Sequence, residues 1–157
     1  MFHIAGRLAA LPLEDVKRIA PMVQLMCPPG LPSPLEGILN LAGTAVPVLR
    51  LDHLLQLPEK RPGLYSMLIV LKGASDGQIA LLVDRVTEIL SVPGGALLPI
   101  GAEHSFNGFA EATVAVRGQV VHLLAPARIL LEKERDSLSE FQVVAQGRLQ
   151  EWEAGKQ

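Results

Sequence analysis

The sequence predicts an all-β protein closed by one C-terminal helix, and three observations carry that prediction. Short aliphatic runs pair about glycine-bearing turns at Ala42-Gly43, at Gly73 to Gly77 and at Arg117-Gly118, the pattern of hairpins in a barrel or sandwich. Apolar residues make up 49% of the 157 but aromatic ones only 4%, so the core must be packed with Leu, Val, Ile and Ala. Only the last stretch departs from this: Leu138, Phe141, Ala145, Leu149 and Trp152 recur at spacings of three and four, the stripe of an amphipathic helix over Glu134 to Glu153. A chain of this length suits one domain or two small fused ones and buries roughly 70% of its unfolded surface.

Taken in order, Met1 to Ala5 reads as a short strand, and Gly6 to Ala10 as a turn into Leu11-Pro12-Leu13. Val16, Ile19, Val23 and Leu25 mark further apolar positions. Cys27 to Pro34 holds four prolines, too many for a helix or a ladder, so it runs as an extended connector. Leu35 to Leu39 could contain one helical turn and Leu51 to Leu55 another, ended by Pro58. Glu59 to Gly63 is a polar loop expected to separate a first sheet from a second. Tyr65 to Leu71 and Gln78 to Val83 form the second hairpin, closed by Asp84. The apolar pattern continues through Val86, Ile89 and Val92 until Pro93-Gly94-Gly95 breaks it, and residues 99–108 are irregular. Ala112 to Val116 and Gln119 to Leu124 form the third hairpin, and Pro126 to Leu131 a short helical cap.

The chain is organised around the first hairpin, Ile38 to Leu41 and Ala45 to Leu49. Pro47 has no N–H for a ladder, which predicts that its strand lies at a sheet edge or carries a bulge. Alternation turns Leu49 and Leu51 to one side and Arg50 and Asp52 to the other, a polar row where a partner could be read.

Gly37-Ile38-Leu39-Asn40-Leu41-Ala42-Gly43 followed by Val46-Pro47-Val48 resembles the central signature of the CheW family, Gly-Val-x-Asn-Leu-Arg-Gly before a proline-bearing strand. Ala80 to Leu90 resembles that family's Gly-hydrophobic-Val-Asp-x-Val-x-x-Val strand, and Leu11 to Val16 its opening. These segments stand in the family's order and cover about residues 1–132, leaving 133–157 as an amphipathic helix and tail. The resemblance implies two five-stranded SH3-like β-barrels packed on a shared core, with no catalytic site and no cofactor. It also implies a cytoplasmic adaptor, recruited to membrane receptor arrays, that couples the cytoplasmic tips of methyl-accepting chemoreceptors to the regulatory domain of a CheA-type histidine kinase. Positions corresponding to Val16, Met67 and Ile89 are partner-facing in that family.

The chain also departs from the family. Arg18 stands where an acidic residue is usual and Ala42 where arginine is usual, two positions that form an ion pair in typical members. Losing both together can be nearly neutral, whereas losing one leaves an uncompensated charge. Arg50-Leu51-Asp52 inverts the usual Asp-Leu-Arg. The expected partner-binding set is therefore Val16, Arg18, Gly37, Ala42, Arg50, Asp52, Met67 and Ile89, with a related surface-sensing or pilus-motility pathway as the alternative setting.

Other chemistries find little support. Net charge is −2, and no basic cluster of the folded part is denser than Lys60-Arg61, so no footprint for nucleic acid is expected. Cys27 is the only cysteine, which leaves neither a disulfide nor a thiolate cluster. No apolar run approaches the ~18 residues of a membrane span, so no direct membrane insertion is expected. The four histidines, His3, His53, His104 and His122, lack metal-ligand spacing. Ser105, His104 or His122, and Asp84 could be recruited as a hydrolytic set only by meeting in space. A small-ligand-binding or hydrolytic β-barrel is the alternative of another class, and it would need a deep pocket with converging polar groups.

Overall fold

The computed structural model describes residues 1–73, 77–101, 106, 108–129 and 132–156, the helical stretch 132–137 by its backbone alone. Eleven strands form two sheets among the described residues. The six-stranded sheet contains β1 (Phe2–Ile4), β2 (Arg7–Ala10), β8 (Arg85–Val86), β9 (Leu98–Pro99), β10 (Ala110–Val116) and β11 (Gln119–Leu124), in the order β8-β1-β2-β11-β10-β9. The five-stranded sheet contains β3 (Val16–Pro21), β4 (Leu35–Leu41), β5 (Thr44–Arg50), β6 (Met67–Leu71) and β7 (Ala80–Val83), in the order β3-β6-β7-β5-β4. Two helices complete the fold, α1 (Leu51–Leu54) and α2 (Glu132–Ala154).

The hairpins at Ala42-Gly43 and Arg117-Gly118 form where expected. Ala42 and Gly43 take φ of 51° and 87°, and Arg117 and Gly118 take 49° and 75°. Two successive left-handed residues match the twist of the strands they join. In the first turn, Asn40 Oδ1 accepts the Gly43 N–H at 2.9 Å. Ala5 and Gly6 make a third such turn, with φ of 45° and 76°, so Arg7–Ala10 is a strand paired with β1 rather than the expected turn. Leu35 to Leu39 is likewise strand and not a helical turn. Ile38 and Leu39, adjacent and so on opposite faces, are both buried because each face of β4 is covered there.

Both faces of the five-stranded sheet are buried at β5, β6 and β7. Ala45 and Leu49 of β5 join Ile38, Ile69 and Leu81 in a core shared with Phe2, Ile4, Ala9 and Leu124 of the other sheet. Val46 and Val48, of opposite parity, pack with Leu39, Leu68, Val70 and Leu82 on the far face, closed by Met22, Leu25 and Leu41. Each such aliphatic side chain contributes roughly 1.5–3 kcal/mol by leaving water.

Three further expectations change. The loop 59–63 does not divide the sheets, because β6 and β7 insert between β3 and β5 and pair β7 with β5 in parallel. For the same reason β5 is an interior strand, and Pro47 is tolerated on other grounds. The pairs Asn40↔Ala45 and Ile38↔Pro47 turn their N–H groups away from β4. On that outer side the ladder with β7 starts only at Val48↔Ala80, and the Ala45 N–H is taken by α2. Pro47 falls between those two stretches, where no donor is missed. Finally, the ladders do not close into barrels. The five-stranded sheet comes nearest, through one isolated bridge from Met26 to Ile38.

Helix α2 docks through Leu138, Ala145 and Leu149 of the expected stripe, 6%, 6% and 2% exposed, with Phe141 packed against the same core. Trp152 does not dock. It is 57% exposed, with the Lys156 amine 3.5 Å from its ring centroid.

Candidate protein-binding groove

Between the two sheets lies an apolar groove of about 260 Å³. One wall comes from β3 and β6, where Ile19 and Ile69 are cross-strand partners and both line it. Val16 stands three residues from Ile19 and would face the opposite way on a regular strand. A bulge between Val16 and Arg18 adds one residue and returns Val16 to the same side. The second wall is the β10–β11 hairpin, with Val114, Val116, Val121 and Leu123. The third is the end of β8 and the segment after it, carrying Val86, Ile89, Leu90 and Val92. Glu88 alone among the lining residues bears a charged side chain.

Ile89, at 66% exposure, and Leu13, at 57%, stand at the mouth. Large aliphatic side chains held in water beside an apolar trough are the signature of a surface that a partner covers. Of the three positions expected to face a partner on the strength of resemblance, Val16 and Ile89 thus share one groove. Met67 does not line it. It pairs with Pro21 and Val83 at the far end of the β3·β6 ladder and packs against the shared core. Leu13 and Glu88 are groove residues that sequence reasoning missed, and Ile19 was noticed only as an apolar position.

Arg50 and Asp52 do not form an outward row. Asp52 is 5% exposed, because the chain turns into α1 directly after β5 and alternation stops. Its carboxylate accepts from Arg50 Nη2 at 3.1 Å, the His53 N–H at 2.9 Å and the Lys60 N–H at 3.2 Å. Burial pushes the Asp52 pKa up, but the bonds from Arg50 and the two backbone donors outweigh it and hold the carboxyl below its ordinary value. The same bond to Asp52, with Glu59 adding, keeps the Arg50 guanidinium protonated beyond its ordinary range. Arg50 also reaches Glu59 at 2.7 Å, and Glu36 at 3.7 Å. Lys60 Nζ continues the strap to Asp84 at 3.4 Å. The loop 59–63 is therefore pinned across the corner of the five-stranded sheet.

Gly37 is set by packing. A Cβ there would lie 2.8 Å from Leu25 Cβ and 3.0 Å from the Met26 carbonyl oxygen, since Met26 bridges β4 at the next residue. Arg18 is exposed on β3 and Ala42 at the tip of the β4–β5 hairpin, with β6 and β7 between their strands in the ladder.

Of the residues considered for hydrolysis, His122 and Asp84 are among those described. Ser105 and His104 lie outside the described residues. His122 packs edge-on against Phe106 with centroids 4.4 Å apart, and Asp84 accepts the Ala5 N–H at 3.0 Å across the sheet rather than in its own following turn. No group of His, Cys, Asp and Glu among the described residues could hold a metal ion. No helix among them is long and apolar enough to cross a membrane.

Comparison with known proteins agrees with this geometry. The CheW-like domain profile matches residues 1–134. The chain is 26% identical over 111 residues to the chemotaxis protein CheW of Rhizobium meliloti (strain 1021), covering 69% of this chain and 71% of that protein. Its fold matches the crystal structure of the scaffolding protein TtCheW from Thermoanaerobacter tengcongensis with a TM-score of 0.72, at 22% identity over 80% of this chain and 81% of that one.

Proposed function

The chain belongs to the CheW-like domain family, a family of non-enzymatic scaffolds, and from that membership we propose that it couples methyl-accepting chemoreceptors to a CheA-type histidine kinase. In this reading residues 1–132 are the adaptor domain, α2 is its docked appendage, and the protein works in the cytoplasm at receptor arrays. The observation that carries it is the groove: walls from both sheets, one charged side chain in the lining, and Ile89 and Leu13 held exposed at its mouth. A receptor tip is a helical hairpin, and an amphipathic helix laid in an apolar groove needs only a few anchoring contacts.

Arg18, at a position usually acidic, and Ala42, at one usually arginine, favour a second setting for the same role. A surface-sensing or pilus-motility assembly would have its own kinase, and charges that repel the wrong partner set such choices. Titration of the purified protein with the regulatory domain of the kinase from its own cell tests the reading. Saturable binding in the micromolar range is expected, and no binding at several hundred micromolar would overturn it.

A further inference from the structure

We infer that Arg117 and Glu88 form a clamp that holds the groove's rim and positions Ile89 for its partner, an inference that rests on the proposed adaptor role. Arg117 sits at the tip of the β10–β11 hairpin, and Glu88 two residues beyond the end of β8. Both guanidinium nitrogens reach the carboxylate, Nη1 to Oε1 and Nη2 to Oε2, each at 2.7 Å. In the six-stranded sheet β8 and β11 are separated by β1 and β2, so a flat sheet would hold them roughly 14 Å apart at ~4.8 Å per strand. The two-point contact reaches across that span and lies beside the apolar groove, which Val116 of the hairpin and Glu88 both line. The clamp joins two of the three walls.

The opposite side of the same segment is fixed by backbone. The Thr87 N–H donates to the Met1 carbonyl at 3.0 Å and Thr87 Oγ1 to the same oxygen at 3.1 Å. Residues 87 and 88 are thus tied on both flanks, and the next side chain in sequence is Ile89, exposed at the mouth. Arg117 is 71% exposed, and an exposed ion pair contributes little to stability. Its consequence is local order: the bidentate fork fixes a plane as well as a distance, and a rim held before the partner arrives need not be ordered on binding.

The test uses the full chain in three forms: unaltered, Arg117→Gln, and the swap Arg117→Glu with Glu88→Arg. The first readout needs no partner. The Ile89 δ-methyl order parameter is expected to fall in Arg117→Gln and to recover in the swap, while the thermal midpoint stays unchanged. The second is affinity for the isolated cytoplasmic tip of a methyl-accepting chemoreceptor, expected to weaken about tenfold in Arg117→Gln and to lose its salt dependence, since salt screens an exposed pair over about 10 Å at 0.1 M. An Ile89 methyl indifferent to Arg117→Gln overturns the clamp. If the unaltered chain binds no tip, the adaptor reading fails, and the methyl measurement still decides the clamp.

Discussion

Gln146 of α2 holds Ala45 of β5 the way a neighbouring strand would. Its Oε1 accepts the Ala45 N–H at 2.7 Å, and its Nε2 donates to the Gly43 carbonyl at 2.8 Å. One turn earlier, Gln142 Nε2 donates to the Ala45 carbonyl at 3.0 Å. These are the outward backbone groups of β5 beyond the reach of β7, and a helix satisfies them with side chains.

Replacing Gln146 by Ala leaves the part-buried Ala45 N–H without its acceptor, at a cost of about 1–2 kcal/mol, readable as a shift in the urea midpoint. Replacing Gln142 as well should add less than the sum of the singles, because both serve one edge. Trp152 will not report this change. Its ring is mostly exposed although the helix is docked, so emission from the isolated protein should be water-like and accessible to quencher before and after the substitution.

The helix stripe and the strand pairing of all three hairpins were legible in the sequence, because turn residues and apolar spacing are local signals, although residues 74–76 of the second turn lie outside the described residues. What the glutamines do was not, since polar residues on an amphipathic helix count as solvent-facing until the element they meet is known. The parallel pairing of β2 with β11 and of β5 with β7 joins segments far apart in sequence, and no local pattern encodes it. Hence the loop 59–63 looked like a divider, and Pro47 looked like an edge marker. Asp52 was misjudged because strand alternation was carried two residues too far, into α1. In the groove, Val16 and Ile89 were reached through resemblance, whereas the bulge that aligns Val16 with Ile19 leaves no mark in the residues themselves.

Asp52 should make stability depend on pH. Its folded pKa is lowered, so its contribution is fully present above its unfolded value near pH 4 and is lost as pH falls through the lower folded value. Asp52→Asn removes the negative charge and turns one of the two acceptor oxygens into a donor, so the His53 N–H on one oxygen, or Arg50 and the Lys60 N–H on the other, lose their acceptor and Arg50 loses its buried anionic partner. It should cost about 3 kcal/mol at pH 7 and flatten the stability profile below pH ~4. Chemical denaturation at several pH values checks both. An unchanged acid limb in Asp52→Asn would contradict the assignment.

Gly37→Ala should destabilise the fold by about 1–3 kcal/mol through overpacking against Leu25 and Met26, without touching the groove. Ile89→Asp should do the opposite, sparing the circular dichroism spectrum and thermal midpoint while abolishing receptor-tip binding. Met67→Asp, in the core rather than the groove, should unfold or weaken the protein. Equal loss of stability in Ile89→Asp and Met67→Asp would assign Ile89 to the core.

Arg18 and Ala42 offer a test of pathway. Arg18→Glu with Ala42→Arg restores the family's usual charges and should improve binding to a standard chemotaxis kinase relative to the chain's own kinase, a comparison made by titration at one ionic strength. The left-handed φ of Ala42, 51°, is already that of a side-chain-bearing residue, so arginine adds no new backbone demand. Identical preference before and after the double change would remove these positions from partner choice.

Coupling is read out by co-sedimentation of the kinase with receptor-bearing membranes, with and without this protein. Kinase should enter the pellet when the protein is present, stay in solution when it is absent, and stay in solution again when Ile89→Asp replaces the unaltered chain. Kinase that pellets equally without the protein, or remains in solution despite it, would rule out a coupling role.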